Sequence, residues 1–349
     1  MRGPNRIILL CLLVATDDEN VKYEKGVFIC MSSLNEVSLT TNTPVRKSLR
    51  DAFTALYRLR TLESLTFAFN PNIRAESRLF DISAPPSRFL LLQWDVLRAL
   101  GRTPNPILPT LQSLAIENWL PVPHTLYAEA PFRQIIASLR HLRFLACAND
   151  YNIFHDEDPR WMFWRQVVEQ NVLLPAVNLE SLTVIYNLKT APPLDFNGLA
   201  YSHLTVISLR NIIWGVWGDS FGSVKGGMAL PEVENFVVRH GKTLKKLELR
   251  SCVIGILKGN GAPRRSWAVV WRRLTDELTE LVDLVVEFEA DSHRADREKR
   301  YVCYSAGHSY IYFGNHVSMG EDVLALGAFR AIVEARKSNW EENGNGNVR

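Results

Sequence analysis

The segment Leu244-Lys245-Lys246-Leu247-Glu248-Leu249-Arg250-Ser251-Cys252 has the form L-x-x-L-x-L-x-x-C, and it is one of eight stretches of related form in the chain. In an extended strand, successive side chains point to opposite faces. Leu247 and Leu249 therefore share one face, and Lys246, Glu248 and Arg250 share the other. A single unit of this kind cannot bury its own leucines. It needs a like unit stacked on each side. The small Cys that closes the motif is expected to turn inward and satisfy backbone groups at the bend.

The other stretches start at Leu34, Leu62, Leu111, Leu139, Leu179, Leu204 and Leu281. Those at Leu34, Leu139 and Leu179 also carry Asn or Cys at the closing position, as Asn42, Cys147 and Asn187. Successive starts lie 25 to 49 residues apart. Regular repeats of this class run about 20–29 residues, so the longer gaps call for insertions or longer helical arms. The expected fold is α/β: a leucine-rich-repeat-like solenoid with a parallel sheet on the concave face and helices on the convex face. It occupies residues 34–338, after an N-terminal segment (1–33) read as first strands and before a disordered tail (339–349). The competing fold is a non-repeating α/β domain with leucine-rich strands.

Apolar periodicity places helices between the strands. One starts at Thr43-Pro44. Others cover 89–100, 131–138, a stretch around Trp161 and Trp164, 231–240, 267–274 and 320–337. Gly241 is expected to stop the helix before it. Residues 212–230 are rich in glycine and read as a loop, and 301–304 with 310–313 read as a hairpin.

Forty basic residues stand against 37 acidic ones, a net charge of +3 with both signs scattered. That pattern argues against a nucleic-acid surface. The five cysteines are widely spaced and form no C-x-x-C, which suits a reducing, cytoplasmic or nuclear setting. The apolar run 7–15 is too short to cross a bilayer. It has the outline of a signal peptide, but a first strand beside Val27-Phe28-Ile29-Cys30 is the preferred reading. The secreted repeat protein is the alternative.

Several segments together resemble the leucine-rich-repeat-like region of fungal F-box proteins. They are Leu62-Glu63-Ser64-Leu65, Leu111-Gln112-Ser113-Leu114-Ala115-Ile116-Glu117-Asn118, the run from Leu173-Leu174-Pro175 to Leu182, and the run from Phe236 to Leu247. The resemblance covers roughly residues 34–330. It implies a non-enzymatic recognition scaffold, a substrate-binding arm related to the receptors of cullin-type ubiquitin ligases. Such proteins also carry an N-terminal helical module that docks a ligase adaptor. No L-P-x-E-[LI]-x-x-x-I segment of that kind stands near this start, so the chain reads as a truncated product or a repeat-only relative.

No catalytic motif emerges, and no cofactor or metal is implied. His155-Asp156-Glu157-Asp158 are adjacent and cannot all face one ion. Gly215, Gly218, Gly222, Gly226 and Gly227 lack the G-K-[ST] of a phosphate loop. Gly307-His308-Ser309 lacks the closing glycine of a nucleophile elbow. An enzyme with a site that no motif reveals is the remaining alternative. His141 reads as a surface residue and His240 as a helix-end residue. The tryptophans at helical spacing, Trp161/Trp164 and Trp267/Trp271, read as core.

Stacked strands would present outward columns to a protein partner. The first holds Glu36, Ser64, Ser113, His141, Ser181, Val206, Lys246 and Asp283. The second holds Ser38, Thr66, Ala115, Arg143, Thr183, Ser208, Glu248 and Val285. Arg210 and Arg250 stand in a third, and with His141, Arg143 and Lys246 they are expected to give the face local positive charge. The candidate protein-binding residues are therefore His141, Arg143, Arg210, Lys246, Glu248 and Arg250. Trp214 and Trp217 join them as aromatic anchors in the glycine-rich loop.

Overall fold

The computed structural model describes residues 10–13, 26–30, 62–69, 86–101, 110–147, 162–186, 196, 198–217, 233–257, 265–289, 300–305, 308–310 and 319–344. The motif at Leu34 with Asn42, the helix from Thr43, Trp161 and Asn187 lie outside them. The fold is mixed α/β, with parallel strands and helices. It divides into two compact units. One comprises Met1–Tyr151 with Asp158–Asn178, the other Asn152–Glu157 with Leu179–Arg349.

In the first unit the strands are β1 (Leu10–Leu13), β2 (Gly26–Cys30), β3 (Ser64–Ala68), β4 (Ser113–Trp119) and β5 (His141–Ala146), and they lie in chain order. β1 and β2 pair antiparallel, and β2 to β5 run parallel. Leu65 pairs with Leu114, and Leu114 with Leu142. These leucines, with Phe67, Ile116 and Phe144, are buried on one face. The helices α1 (Arg88–Gly101), α2 (Ala130–Ser138) and α3 (Phe163–Leu173) supply Val96, Leu97, Ile135, Ile136, Val167 and Val168 to the same core. α3 is widely wound, with the Leu174 N–H reaching the Glu169 carbonyl. Trp119 packs edge-on against Phe144 and Phe163, at centroid distances of 5.6 and 5.0 Å.

β4 gives way to a 3₁₀ turn at Thr125–Ala128. Pro121 and Pro123 follow Trp119 and cannot donate to a ladder. The buried N–H and carbonyl of Leu120 are instead met by the buried Gln93 amide. Gln93 Nε2 donates to the Leu120 carbonyl at 3.2 Å, and the Leu120 N–H donates to Gln93 Oε1 at 2.7 Å.

In the second unit one row of parallel strands is β6 (Ser181–Tyr186), β7 (Val206–Arg210), β9 (Lys246–Arg250) and β11 (Asp283–Glu287). Leu182, Ile207, Leu247 and Leu284 are neighbours across it. A second sheet has the order β13-β12-β10-β8, with β8 at Ile213–Trp217, β10 at Val253–Leu257, β12 at Tyr301–Ser305 and β13 at His308–Tyr310. β12 and β13 form a hairpin, but with its second strand at His308–Tyr310 and not 310–313, of which 311–313 lie outside the described residues. β8 corrects the loop expected over 212–230, and β10 is a strand for which the sequence carried no expectation. Residues 213–217 are strand rather than loop, and each of these strands follows β7 or β9 after a single corner. The helices are α4 (Val233–Arg239), α5 (Trp267–Glu277) and α6 (Met319–Gly344). α6 continues past Lys337, so residues 339–344 are helical rather than part of a disordered tail. No Gly or Pro stands between Gly327 and Gly344 to stop it.

The corners share one conformation. Asn118, Asn211 and Ser251 have φ of 56°, 56° and 52°. Each stands seven residues after the first leucine of its motif, at Leu111, Leu204 and Leu244. Asn tolerates this left-handed region because its short side chain bonds locally. Asn118 Nδ2 donates to the Phe69 carbonyl at 2.9 Å, and Asn211 Nδ2 to the Tyr186 carbonyl at 2.6 Å. The closing position of the motif lies one residue later. Cys147 and Cys252 are buried there as expected, with Cys147 Sγ 3.3 Å from Asn118 Oδ1 and Cys252 Sγ 3.4 Å from the Leu209 carbonyl. Burial pushes the Cys252 thiol up to about 12.

Candidate recognition face and buried polar clusters

Strand alternation that buries the leucines turns the intervening residues outward. In the first unit the register sets Ser64 beside Ser113 beside His141, and Thr66 beside Ala115 beside Arg143. His141 and Arg143 are exposed, and Arg143 Nη2 lies 3.6 Å from Glu117 Oε1 on the neighbouring strand.

In the second unit the rows are Ser181, Val206, Lys246 and Asp283; Thr183, Ser208, Glu248 and Val285; and Ile185, Arg210, Arg250 and Glu287. Within each unit these rows reproduce the columns expected from the motif. Their charge state differs from the expectation. Lys246 Nζ is 3.0 Å from Asp283 Oδ2, and Arg250 is ion-paired with both Glu248 and Glu287. The Glu248 hydrogen bond, with Glu287 behind it, raises the Arg250 pKa above its ordinary value. Arg210 is exposed and has no ion-pair partner among the described residues. The local positive charge expected at Lys246 and Arg250 is thus largely neutralised by carboxylates on the same and the next strand.

Trp214 is a correction. It is fully buried in β8, its ring 5.5 Å from that of Trp267, so it anchors the core and not a partner. The glycine-rich composition around it had suggested a loop, but Ile212, Ile213 and Trp214 are the apolar run of a buried strand. Trp217 ends the same strand, and its side chain lies outside the described residues. Trp164, Trp267 and Trp271 are core, and Trp267 stacks on Trp271 at 4.6 Å.

Three buried polar clusters escaped the sequence reading. Asp322, in the first turn of α6, is fully buried. It accepts the Ala268 N–H and the Tyr301 hydroxyl, each at 2.7 Å, while the Trp267 N–H donates to that hydroxyl at 2.8 Å. The N-terminus of α5 is thereby capped from two other elements. Burial raises the pKa of Asp322. Glu234 is buried in α4 and ion-paired with Arg265 and Arg273. His240 closes α4. Its Nδ1 lies 2.7 Å from the Phe236 carbonyl, and its Nε2 accepts the Tyr201 N–H at 2.9 Å. A backbone donor on Nε2 and a backbone acceptor on Nδ1 require the neutral ring protonated on Nδ1. Burial lowers its pKa, against the Phe236 hydrogen bond.

Each of these groups is satisfied within the fold, and none lines up a nucleophile with a base. Among the described residues, no group of three or more His, Cys, Asp or Glu side chains is placed to hold a metal ion. No helix among them is long and apolar enough to cross a membrane. The chain matches no protein-family model and no curated protein sequence.

Proposed function

We propose that this chain is a non-enzymatic protein-recognition scaffold of leucine-rich-repeat-like construction, related to the substrate-binding arms of F-box receptors. One observation carries the reading. Residues predicted from a recurring motif to face outward stand side by side in register, as open rows of hydroxyl, small and charged side chains. A sheet face of outward polar side chains with a buried leucine backing suits the docking of a protein segment across several strands. The three buried polar clusters support the reading too, since each serves to hold a helix in place.

The test is affinity purification from the source cells. The paired change Thr183→Arg and Ser208→Arg would crowd the outward face with its leucines untouched. Val269→Arg on the exposed side of α5 serves as control. A partner should be retained by the wild type and by Val269→Arg, and lost with the paired change. Capture of no partner, or equal capture by all three, would overturn the reading. A direct pull-down with cullin adaptor subunits addresses ligase membership separately. No enrichment there would remove the ligase and leave recognition in place.

A further inference from the structure

The outward charges of the second unit have an order. β7 carries one cation, Arg210. β9 carries Lys246 and Arg250 against Glu248, and β11 carries Asp283 and Glu287. The six charges sum to zero. Across the strands, however, they run from positive at β7 to negative at β11. The ion pairs preserve that order, because Lys246 leans to Asp283 and Arg250 to Glu248 and Glu287. Arg210 stands directly opposite Arg250 in the register. Like charges so placed repel, and the carboxylates in reach are engaged by Arg250. On the other side β6 offers Ser181, Thr183 and Ile185, which are uncharged. At the far side the Asp283 and Glu287 side chains remain 46% and 55% exposed.

We propose that this face selects a protein segment by the order of its charges: an acidic side chain over Arg210 and a basic one over Glu287, which stands in the same register row. The inference rests on the recognition reading and deepens it. Adjacent strands lie about 4.8 Å apart, so β7 and β11 are separated by about 10 Å. A segment in the polyproline II conformation has three residues per turn and rises about 3.1 Å per residue, so a Glu-x-x-Lys spacing sets both charges on one face about 9 Å apart and meets both ends, in either direction. A uniform polyanion suits Arg210 and is repelled at β11.

The probe is a fluorescein-labelled, proline-rich peptide with one Glu-x-x-Lys, which the polyproline II conformation presents on one face. Gln-x-x-Gln and Glu-x-x-Glu versions accompany it, and fluorescence anisotropy is read on the full chain at low salt. The Glu-x-x-Lys peptide should bind tightest. Both Arg210→Glu and Glu287→Lys should weaken it by about two- to fivefold, the range that loss of an exposed ion pair gives. These two changes move the net charge in opposite directions, so attraction by net charge cannot produce both losses. Glu287→Lys should also improve the all-acidic peptide. Glu341→Lys on α6, with the same charge change away from the face, should leave the Glu-x-x-Lys peptide unaffected. Equal binding of the Gln-x-x-Gln peptide, preference for Glu-x-x-Glu, or weakening by only one of the two face variants would overturn the proposal. Such a failure with partner capture intact leaves the recognition reading standing, whereas loss of capture overturns that reading itself.

Discussion

Leu247 and Lys246 are neighbours in sequence with opposite fates. Leu247 is fully buried, and Lys246 is half-exposed and paired with Asp283. Leu247→Asp forfeits about 1.5–3 kcal/mol of apolar transfer and buries an unpaired charge besides. Lys246→Asp removes a solvent-screened pair and sets two carboxylates near each other, for about 1 kcal/mol. Urea denaturation should separate the two variants widely, and equal midpoints would refute the face assignment. His240 supplies a pH signature. Its folded pKa lies below the ordinary value near 6.5, so the unfolded chain binds its proton first. The stability it contributes is complete above about pH 6.5 and is lost as pH falls toward the lowered folded value. His240→Gln has nothing to titrate there. The stability gap between wild type and variant should narrow between pH 7.5 and the acid side of that window, and a gap unchanged with pH would show that the ring is not held neutral by folding.

At the scale of elements, corners and close approaches decide where strands and helices stop. Asn211 combines a left-handed backbone with a side-chain bond to Tyr186. Asn211→Gly keeps the backbone and loses the bond, at about 1 kcal/mol. Asn211→Ala loses both and costs about 2–3 kcal/mol. Thermal melts should rank wild type above Gly above Ala, and Ala at or above Gly would mean that the corner conformation costs little. Gly241, two residues past the end of α4, is explained by close packing and not by a left-handed helix stop. The left-handed glycine among the described residues is Gly198, whereas a Cβ on Gly241 would lie 2.2 Å from the Glu277 carbonyl at the end of α5. Gly241→Ala should cost about 1–3 kcal/mol through overpacking, read as a lowered urea midpoint.

These elements also show what a sequence reveals. Leucine periodicity is local, so strand register and the inward and outward faces were legible. The corner was legible too, but only as the recurrence of Asn118 and Asn211 seven residues after a leucine, one position before the Cys and Asn that drew attention. Trp214 misled because glycine-rich composition outweighed a short apolar strand. Asp322 and Glu234 look like ordinary first-turn acids of their own helices. Their partners, at Ala268, Tyr301, Arg265 and Arg273, are remote in sequence, and no local pattern encodes such contacts. The same holds for the neutralised charges. The columns followed from alternation, but the lean of Arg250 toward Glu248 and Glu287 did not.

At the scale of the molecule, a row of paired strands leaves an edge that needs cover. Among the described residues β11 ends its row in the second unit, and α6 lies against it. Arg330 donates to the Val286 carbonyl at 2.8 Å, and Arg336 donates to the Leu278 and Thr275 carbonyls at 2.6 and 3.2 Å. Phe329 stacks on Trp271 at 6.2 Å, Leu326 and Val333 are buried, and Asp322 caps α5. Burial of the three apolar side chains alone is worth on the order of 5–9 kcal/mol, comparable to the 5–15 kcal/mol that typically holds a whole domain together. From Lys337 to Glu342 the helix is exposed, Trp340 included at 62%. Truncation after Ser318 should therefore abolish cooperative unfolding of the second unit and expose surface that binds a hydrophobic dye. Truncation after Lys337 should leave the thermal midpoint within a few degrees of wild type. A chain ending at Ser318 that still melts cooperatively would mean that the row of strands closes without its helix.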